Sequence, residues 1–439
     1  MISAAHDKLR RLRRWLVVGT VVTAVAMVGL EAILVLQPAS KEPLPRPKPT
    51  PTPALADAGK VLSRADEVTF APEQVEGVSR QNYGGYTPRP QYGVRKTVVQ
   101  YRSYEPDGTP IIVYARVYQP IGKTAAPIFG FAPGTVGIGD QCAPSLEDPA
   151  KANWANYESH MLTYAGQGYA TVITDYEGMR DNDRLHHYMV GPLEGRAVLD
   201  SVRALINLDA GTDQLDTNHV FVGGYSQGGH AAFWADQIAA TYAPELHLAG
   251  VVGFGPVMDV RETLTDILHG ANIDWFGPYL LVSYGDYYRD AYNLADTLQP
   301  RYQQNLQTDV LSHCIDTNLT FWPHVPAQVY APAFLGSLAD NLTDARFSRF
   351  KERMDANIVG AAKTTTAKLI NSGLHDNVVL PAQQDRAMSR LCPNSKGPVE
   401  LKKWPTATHY NTMAQSFADT LGWMGALTRG QSVASTCTP

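Results

Sequence analysis

His219-Val220-Phe221-Val222-Gly223-Gly224-Tyr225-Ser226-Gln227-Gly228-Gly229-His230-Ala231-Ala232-Phe233-Trp234 is the stretch that decides how this chain folds. Its first five residues are a short apolar run of the kind that fills a buried parallel strand. The residues from His230 onward read as the start of a helix. Between them lies G-x-S-x-G, the pattern of a nucleophile elbow, in which a serine sits on a tight strand-to-helix turn. Glycines flank the serine because side chains there would strike neighbouring backbone, and because glycine tolerates strained dihedrals. The turn would lift the Ser226 hydroxyl clear of the sheet. It would also place the Gln227 N–H at a helix N-terminus, where the dipole favours a developing oxyanion.

An elbow of this kind belongs to an α/β-hydrolase fold, whose triad partners follow in the order Ser, Asp or Glu, His. The candidate acid is Asp376, which follows the apolar strand and glycine turn Lys368-Leu369-Ile370-Asn371-Ser372-Gly373. The candidate base is His409, after the run Val399-Glu400-Leu401-Lys402-Lys403-Trp404. Both would sit just beyond strand ends, where open α/β sheets gather functional groups. His409 would accept the Ser226 proton during attack on a carbonyl carbon, while Asp376 would orient the ring and stabilise the imidazolium. Asp385 is the rival acid, but it lies inside a helix-like stretch. His230 falls on the elbow helix, His186 and His187 precede the serine, and His375 is too close to Asp376. The second oxyanion donor is expected on the glycine-rich loop after Ile128-Phe129-Gly130-Phe131-Ala132, with Thr135 preferred and Val136 the alternative.

Several separated motifs resemble the secretory lipase family, lipase-A type. Pro133-Gly134-Thr135 with Gly139-Asp140-Gln141-Cys142-Ala143-Pro144-Ser145 resembles its oxyanion loop, and Asp175-Tyr176-Glu177-Gly178 the stretch after its fourth strand. His187-Tyr188-Met189-Val190-Gly191, Glu194-Gly195-Arg196-Ala197-Val198-Leu199-Asp200 and the elbow complete the series, across roughly residues 65–430. The resemblance implies a secreted α/β-hydrolase with a helical cap, acting on carboxylic esters including lipids. It puts the family's serine, aspartate and histidine on Ser226, Asp376 and His409. One departure is Leu380, which intervenes between Val379 and Pro381.

The whole chain fits this reading. At 439 residues, 44% hydrophobic and 18% charged, it exceeds a minimal hydrolase domain and leaves room for a cap. A net charge of −5 gives no basic footprint for nucleic acid. Residues 1–14 are basic, and 15–37 form an apolar run interrupted only by Glu31, long enough to span a bilayer with the N-terminus cytoplasmic. An uncleaved signal anchor, giving an N-terminal transmembrane helix, is preferred over a cleaved signal peptide. Either sends the remainder outside. Residues 38–60 are a proline-rich linker, favouring extended polyproline II. The catalytic domain is assigned to 61–439, with the cap at about 255–366.

Cys142, Cys314, Cys392 and Cys437 show no metal-binding spacing, and four cysteines allow three pairings. The preferred set is Cys142–Cys314, tying the oxyanion loop to the cap, and Cys392–Cys437, pinning the C-terminal tail. No metal or cofactor is expected, and the oligomeric state is left open. Strands are expected at 96–104 and 111–119, joined by a hairpin, and at 128–132, 170–174 and 248–254. Helices are expected at about 152–166 and 193–208. The sheet is therefore mostly parallel, with helices on both faces. In the cap, 263–268, 287–298, 331–338 and 346–361 look helical. Trp275, Phe276, Tyr279, Leu280, Leu281, Tyr284, Tyr287 and Tyr288 are candidates to line an acyl or alcohol pocket, although most are expected to pack the cap's own core. The function expected is an exported serine carboxylic-ester hydrolase, a lipase or esterase. The alternatives are an acyltransferase with an alcohol acceptor and a non-catalytic cell-surface binding module.

Overall fold

Apolar runs bounded by glycine and proline assemble into one sheet in the computed structural model, which describes residues 57–148, 156–180, 184–271 and 276–437. The basic start, the apolar run 15–37 and most of the proline-rich linker lie outside the described residues. Among the described residues no helix is long and apolar enough to cross a membrane. Residues 57–60, assigned to the linker from sequence, belong to the folded unit: Gly59 N–H donates to the Arg102 carbonyl at 2.8 Å.

Nine strands are described: β1 Val61–Phe70, β2 Val94–Tyr104, β3 Pro110–Pro120, β4 Ala126–Ala132, β5 Ala170–Thr174, β6 Leu215–Tyr225, β7 Leu248–Phe254, β8 Ala367–Gly373 and β9 Val399–Trp404. Their order in the sheet is β1-β2-β3-β5-β4-β6-β7-β8-β9. The first three strands and the β3–β5 pairing are antiparallel; from β5 to β9 every pairing is parallel. The β2–β3 hairpin closes on Pro106-Asp107-Gly108-Thr109, where Gly108 takes a φ of +88° that the turn demands. Strand β1 and the helix Pro72–Tyr83 were not expected from the sequence.

Parallel strands buried on both faces read as continuous apolar runs, with alternate residues sent to opposite layers. Ile128, Val172, Val222, Val251 and Ile370 join a cluster under the helices Gly191–Leu208 and Gln227–Tyr242. Their chain neighbours Phe129, Ile173, Phe221, Val252 and Leu369 join the opposite cluster, under Tyr157–Gly166 and Thr412–Thr428. Between β7 and β8 the chain is helical, and its apolar side chains form a third cluster together with Ile138, Tyr188, Met189, Val190, Leu193, Val378 and Val379. Within the expected helix 287–298 the structure has the end of the helix Phe276–Tyr288, a break at Arg289, whose φ of +59° cannot continue a right-handed helix, and the short helix Leu294–Thr297. Phe276, Tyr279, Leu280, Leu281 and Tyr284 are buried in that cluster. Trp275 lies outside the described residues.

Two disulfides clamp the structure. Cys142 joins Cys314 with an S–S distance of 2.08 Å, linking the loop after β4 to the helix Ile315–Phe321. Cys392 joins Cys437 with an S–S distance of 1.98 Å. The segment leading to Cys437 runs beside β9, with Thr436 N–H donating to the Val399 carbonyl at 2.7 Å and the Thr436 hydroxyl accepting from Leu401 N–H at 2.9 Å.

Candidate active site

Ser226 stands between the end of β6 and the first residue of the helix Gln227–Tyr242. Its φ of +57° and ψ of −115° are strained for a residue with a side chain, and neighbours over-determine them. Its N–H donates to the Phe254 carbonyl on β7 at 3.0 Å, and its carbonyl accepts from Val257 N–H at 3.1 Å. The flanking glycines have steric reasons. A Cβ on Gly224 would lie 2.1 Å from the Gly228 carbonyl oxygen, and one on Gly228 would lie 1.9 Å from that of Ala132.

Three strand ends bring the candidate side chains together. His409 opens a 3₁₀ turn after β9, and its Nε2 lies 3.0 Å from Ser226 Oγ. Its Nδ1 lies 2.7 Å from Asp376 Oδ2. A carboxylate can only accept, so Nδ1 carries the hydrogen and Nε2 is left to accept from the serine. Asp376 follows β8, and its other oxygen accepts the N–H groups of Val378 and Val379 at 2.9 and 2.8 Å. The His375 N–H donates to the Ala407 carbonyl at 2.9 Å, tying the acid loop to the base loop. All three side chains are buried. Gly255 (φ +51°) passes so close that a Cβ would sit 3.0 Å from Asp376 Oδ2 and 3.1 Å from His409 Nδ1. Asp385 lies apart from this group, on the helix Pro381–Asn394, paired with Lys403 at 2.7 Å.

Thr135 and Ser226 line the same cavity, together with Tyr225, His409, Tyr410, Ile315 and Leu319. The loop carrying Thr135 is held from several sides. The Thr135 hydroxyl is 2.5 Å from that of Tyr188, Gly134 N–H donates to the Tyr157 hydroxyl at 2.7 Å, and the Pro133 carbonyl accepts from Tyr176 at 2.6 Å. Gln227 begins its helix, so its N–H belongs to the first turn, where intrahelical acceptors are missing. The free volume over Ser226 is about 20 Å³, room for roughly one water. The cap aromatics Phe276 to Tyr288 do not line it; Ile315, Leu319 and Tyr410 do. These were missed because Ile315 and Leu319 sit on a seven-residue helix without a marked apolar period. Among the described residues no group of three or more His, Cys, Asp or Glu side chains could hold a metal ion.

A largely parallel sheet, a strained serine after its central strand and loops from β8 and β9 converging on it define an α/β-hydrolase fold. The chain belongs to the secretory lipase family, whose sequence pattern matches residues 150–435. It is 30% identical over 175 residues to Lipase A of Moesziomyces aphidis, covering 38% of this chain and 36% of that protein. It is 32% identical over 139 residues to the secreted triacylglycerol lipase LIP5 of Malassezia furfur, covering 30% of this chain and 35% of that one. The matched region thus spans about a third of these relatives' length. The cell wall degrading esterase LipA of Xanthomonas oryzae has the same fold, with a TM-score of 0.70 at 20% identity over 85% of this chain and 97% of that one.

Proposed function

We propose that this protein is an exported serine carboxylic-ester hydrolase, of lipase or esterase type, that works through an acyl-enzyme on Ser226. The observation that carries the reading is the relay from Ser226 Oγ to His409 Nε2 (3.0 Å) and from His409 Nδ1 to Asp376 (2.7 Å) at a strained elbow. Ser226 Oγ attacks the ester carbonyl carbon as its proton passes to His409. The N–H groups of Gln227 and Thr135 stabilise the oxyanion. His409 then gives the proton to the departing alcohol, and a water repeats the sequence to release the acid. No step draws on a metal or cofactor. An ester needs more room than the small cavity over Ser226, so substrate entry displaces its wall of Ile315, Leu319 and Tyr410. Small-molecule and lipid esters are both within this reading; the names of the relatives support it.

The test is Ser226→Ala, assayed on p-nitrophenyl esters of increasing acyl length and by labelling with a fluorophosphonate. We expect hydrolysis to fall by several powers of ten and labelling to vanish, with folding intact. Retention of more than about a tenth of the activity would refute the assignment. An acyltransferase would instead form a new ester when an alcohol is supplied. Residues 15–37 are proposed to tether the catalytic domain to the outer face of the membrane, with 38–56 as a stalk. Full-length protein should then resist carbonate extraction, and a mature N-terminus near Asp57 would sink the tether.

A further inference from the structure

Beside the elbow, among side chains that do not line the cavity over Ser226, lies a buried polar cluster whose side chains the proposed chemistry does not use. The Gln227 side chain is 1% exposed, and Glu194, His186 and His230 are fully buried. The Gln227 amide nitrogen donates to Glu194 Oε1 at 2.7 Å and contacts His186 Nε2 at 2.9 Å, so both its hydrogens are used. His186 Nδ1 in turn faces the Glu177 carbonyl at 3.2 Å. Glu194 Oε1 also accepts Met189 N–H at 3.0 Å, and its Oε2 accepts His230 Nδ1 at 2.9 Å. His230 Nε2 donates to the Asn357 carbonyl at 2.8 Å, the same oxygen that Trp234 Nε1 reaches at 3.0 Å. Glu194 thus grips the first turn of the elbow helix at two points, Gln227 and His230.

From this geometry we infer that Glu194 is a positioning residue for the oxyanion hole. It acts through the Gln227 side chain, which holds in place the backbone N–H of the same residue, the proposed oxyanion donor. The inference rests on the ester-hydrolase reading above. A buried amide with both hydrogens engaged cannot swing, and the backbone carrying it is held with it. Replacing Glu194 by alanine removes an acceptor from Gln227, from Met189 N–H and from His230, each a buried donor that is costly to leave unpaired. Glu194→Gln behaves differently. Its carbonyl oxygen still accepts from Met189 and Gln227, and its NH₂ can donate to His230 Nδ1 in the ring tautomer that keeps its hydrogen on Nε2. The conservative variant therefore keeps the bonds while losing the charge.

The experiment is a double-mutant cycle of Glu194→Ala with Gln227→Met, with Glu194→Gln and Ser226→Ala alongside. Full-length protein is assayed for kcat, KM and the rate of fluorophosphonate capture. Loss of one oxyanion donor costs about 10²–10³ in kcat, so its misplacement should cost about 10- to 100-fold. We expect that loss in kcat and in capture rate for each single variant, with KM within about threefold and Glu194→Gln close to wild type. The double variant should fall no further than about twofold below Gln227→Met, because both act through one group. Multiplying losses would show that Glu194 only supports the fold, and would overturn the inference. An unchanged kcat in Gln227→Met would overturn it too, even if Glu194→Ala did not fold. If Ser226→Ala stayed active, the ester-hydrolase reading itself would fail; if only the Glu194 and Gln227 variants behaved as wild type, the inference alone would fall.

Discussion

Replacing His160 by glutamine should remove a pH dependence of stability whose size follows from where the ring sits. His160 lies on the helix Tyr157–Gly166, 4% exposed, with the Tyr83 ring edge-on at 5.1 Å. Its Nε2 accepts from Asn82 Nδ2 at 3.1 Å and its Nδ1 meets the Tyr83 hydroxyl at 2.6 Å. Burial lowers its pKa to about 3 from an ordinary value of 6.5. Protonation would also set a ring N–H against the Asn82 donor. A depressed folded-state value means the stability contribution is present above pH 6.5 and is lost as pH falls from there towards 3. At pH 5 the unfolded chain gains about 2 kcal/mol by protonating this ring, whereas at pH 7 it gains about 0.2 kcal/mol. Urea unfolding at both pH values, followed by circular dichroism, measures the difference. Wild type should lose about 2 kcal/mol more than His160→Gln between pH 7 and pH 5, with the carboxylates cancelling in the comparison. Equal losses in the two proteins would refute a ring buried in the neutral form.

Asp376→Asn should lower kcat by about 10³–10⁴-fold with the fold retained, since an amide cannot stabilise the imidazolium and favours the wrong tautomer. Asp385→Asn should stay close to wild type, because Asp385 is half exposed and makes only a surface pair with Lys403; the reverse ranking in steady-state kinetics would move the acid. Gly255→Ala should cut kcat at least about tenfold, because the new methyl group falls within 3.1 Å of both Asp376 and His409. Kinetics beside a melting curve would check this, and a fully active variant would mean that the acid and base loops tolerate displacement.

The elbow, the strands 170–174 and 248–254 and the candidates Ser226, Asp376 and His409 could be read from the chain because each coincides with a strong local signal. A buried parallel strand is a continuous apolar run, and G-x-S-x-G admits few other uses after one. Strand β1 escaped because Leu62 to Thr69 are mostly exposed, so no alternation marks them. The helix Pro72–Tyr83 buries only Val75, Ser79 and Tyr83, too thin a stripe to stand out. Sequence order also hides the exchange that places β5 outside β4 in the sheet. Within the site, Glu194, His186 and His230 could be seen as polar residues inside apolar motifs. Only their approach across 33 to 41 residues of chain to Gln227 and Glu194 gives them a role. Most of the cap aromatics pack the cap's core, as expected; which of them instead line a pocket could not be read from the chain, because large apolar side chains near a site serve either use.

The strap made by residues 435–437 has a consequence for association. A parallel sheet ends in a strand whose outer N–H and C=O groups are open to pairing with another chain. Here Ser435 and Thr436 occupy that side of β9, and the bond from Cys437 to Cys392 locks them there. Reducing agents would therefore do more than loosen a loop. They would unlatch a guard and leave Val399 to Leu401 open as a template, so that clumping rather than unfolding becomes the first symptom of a reducing environment.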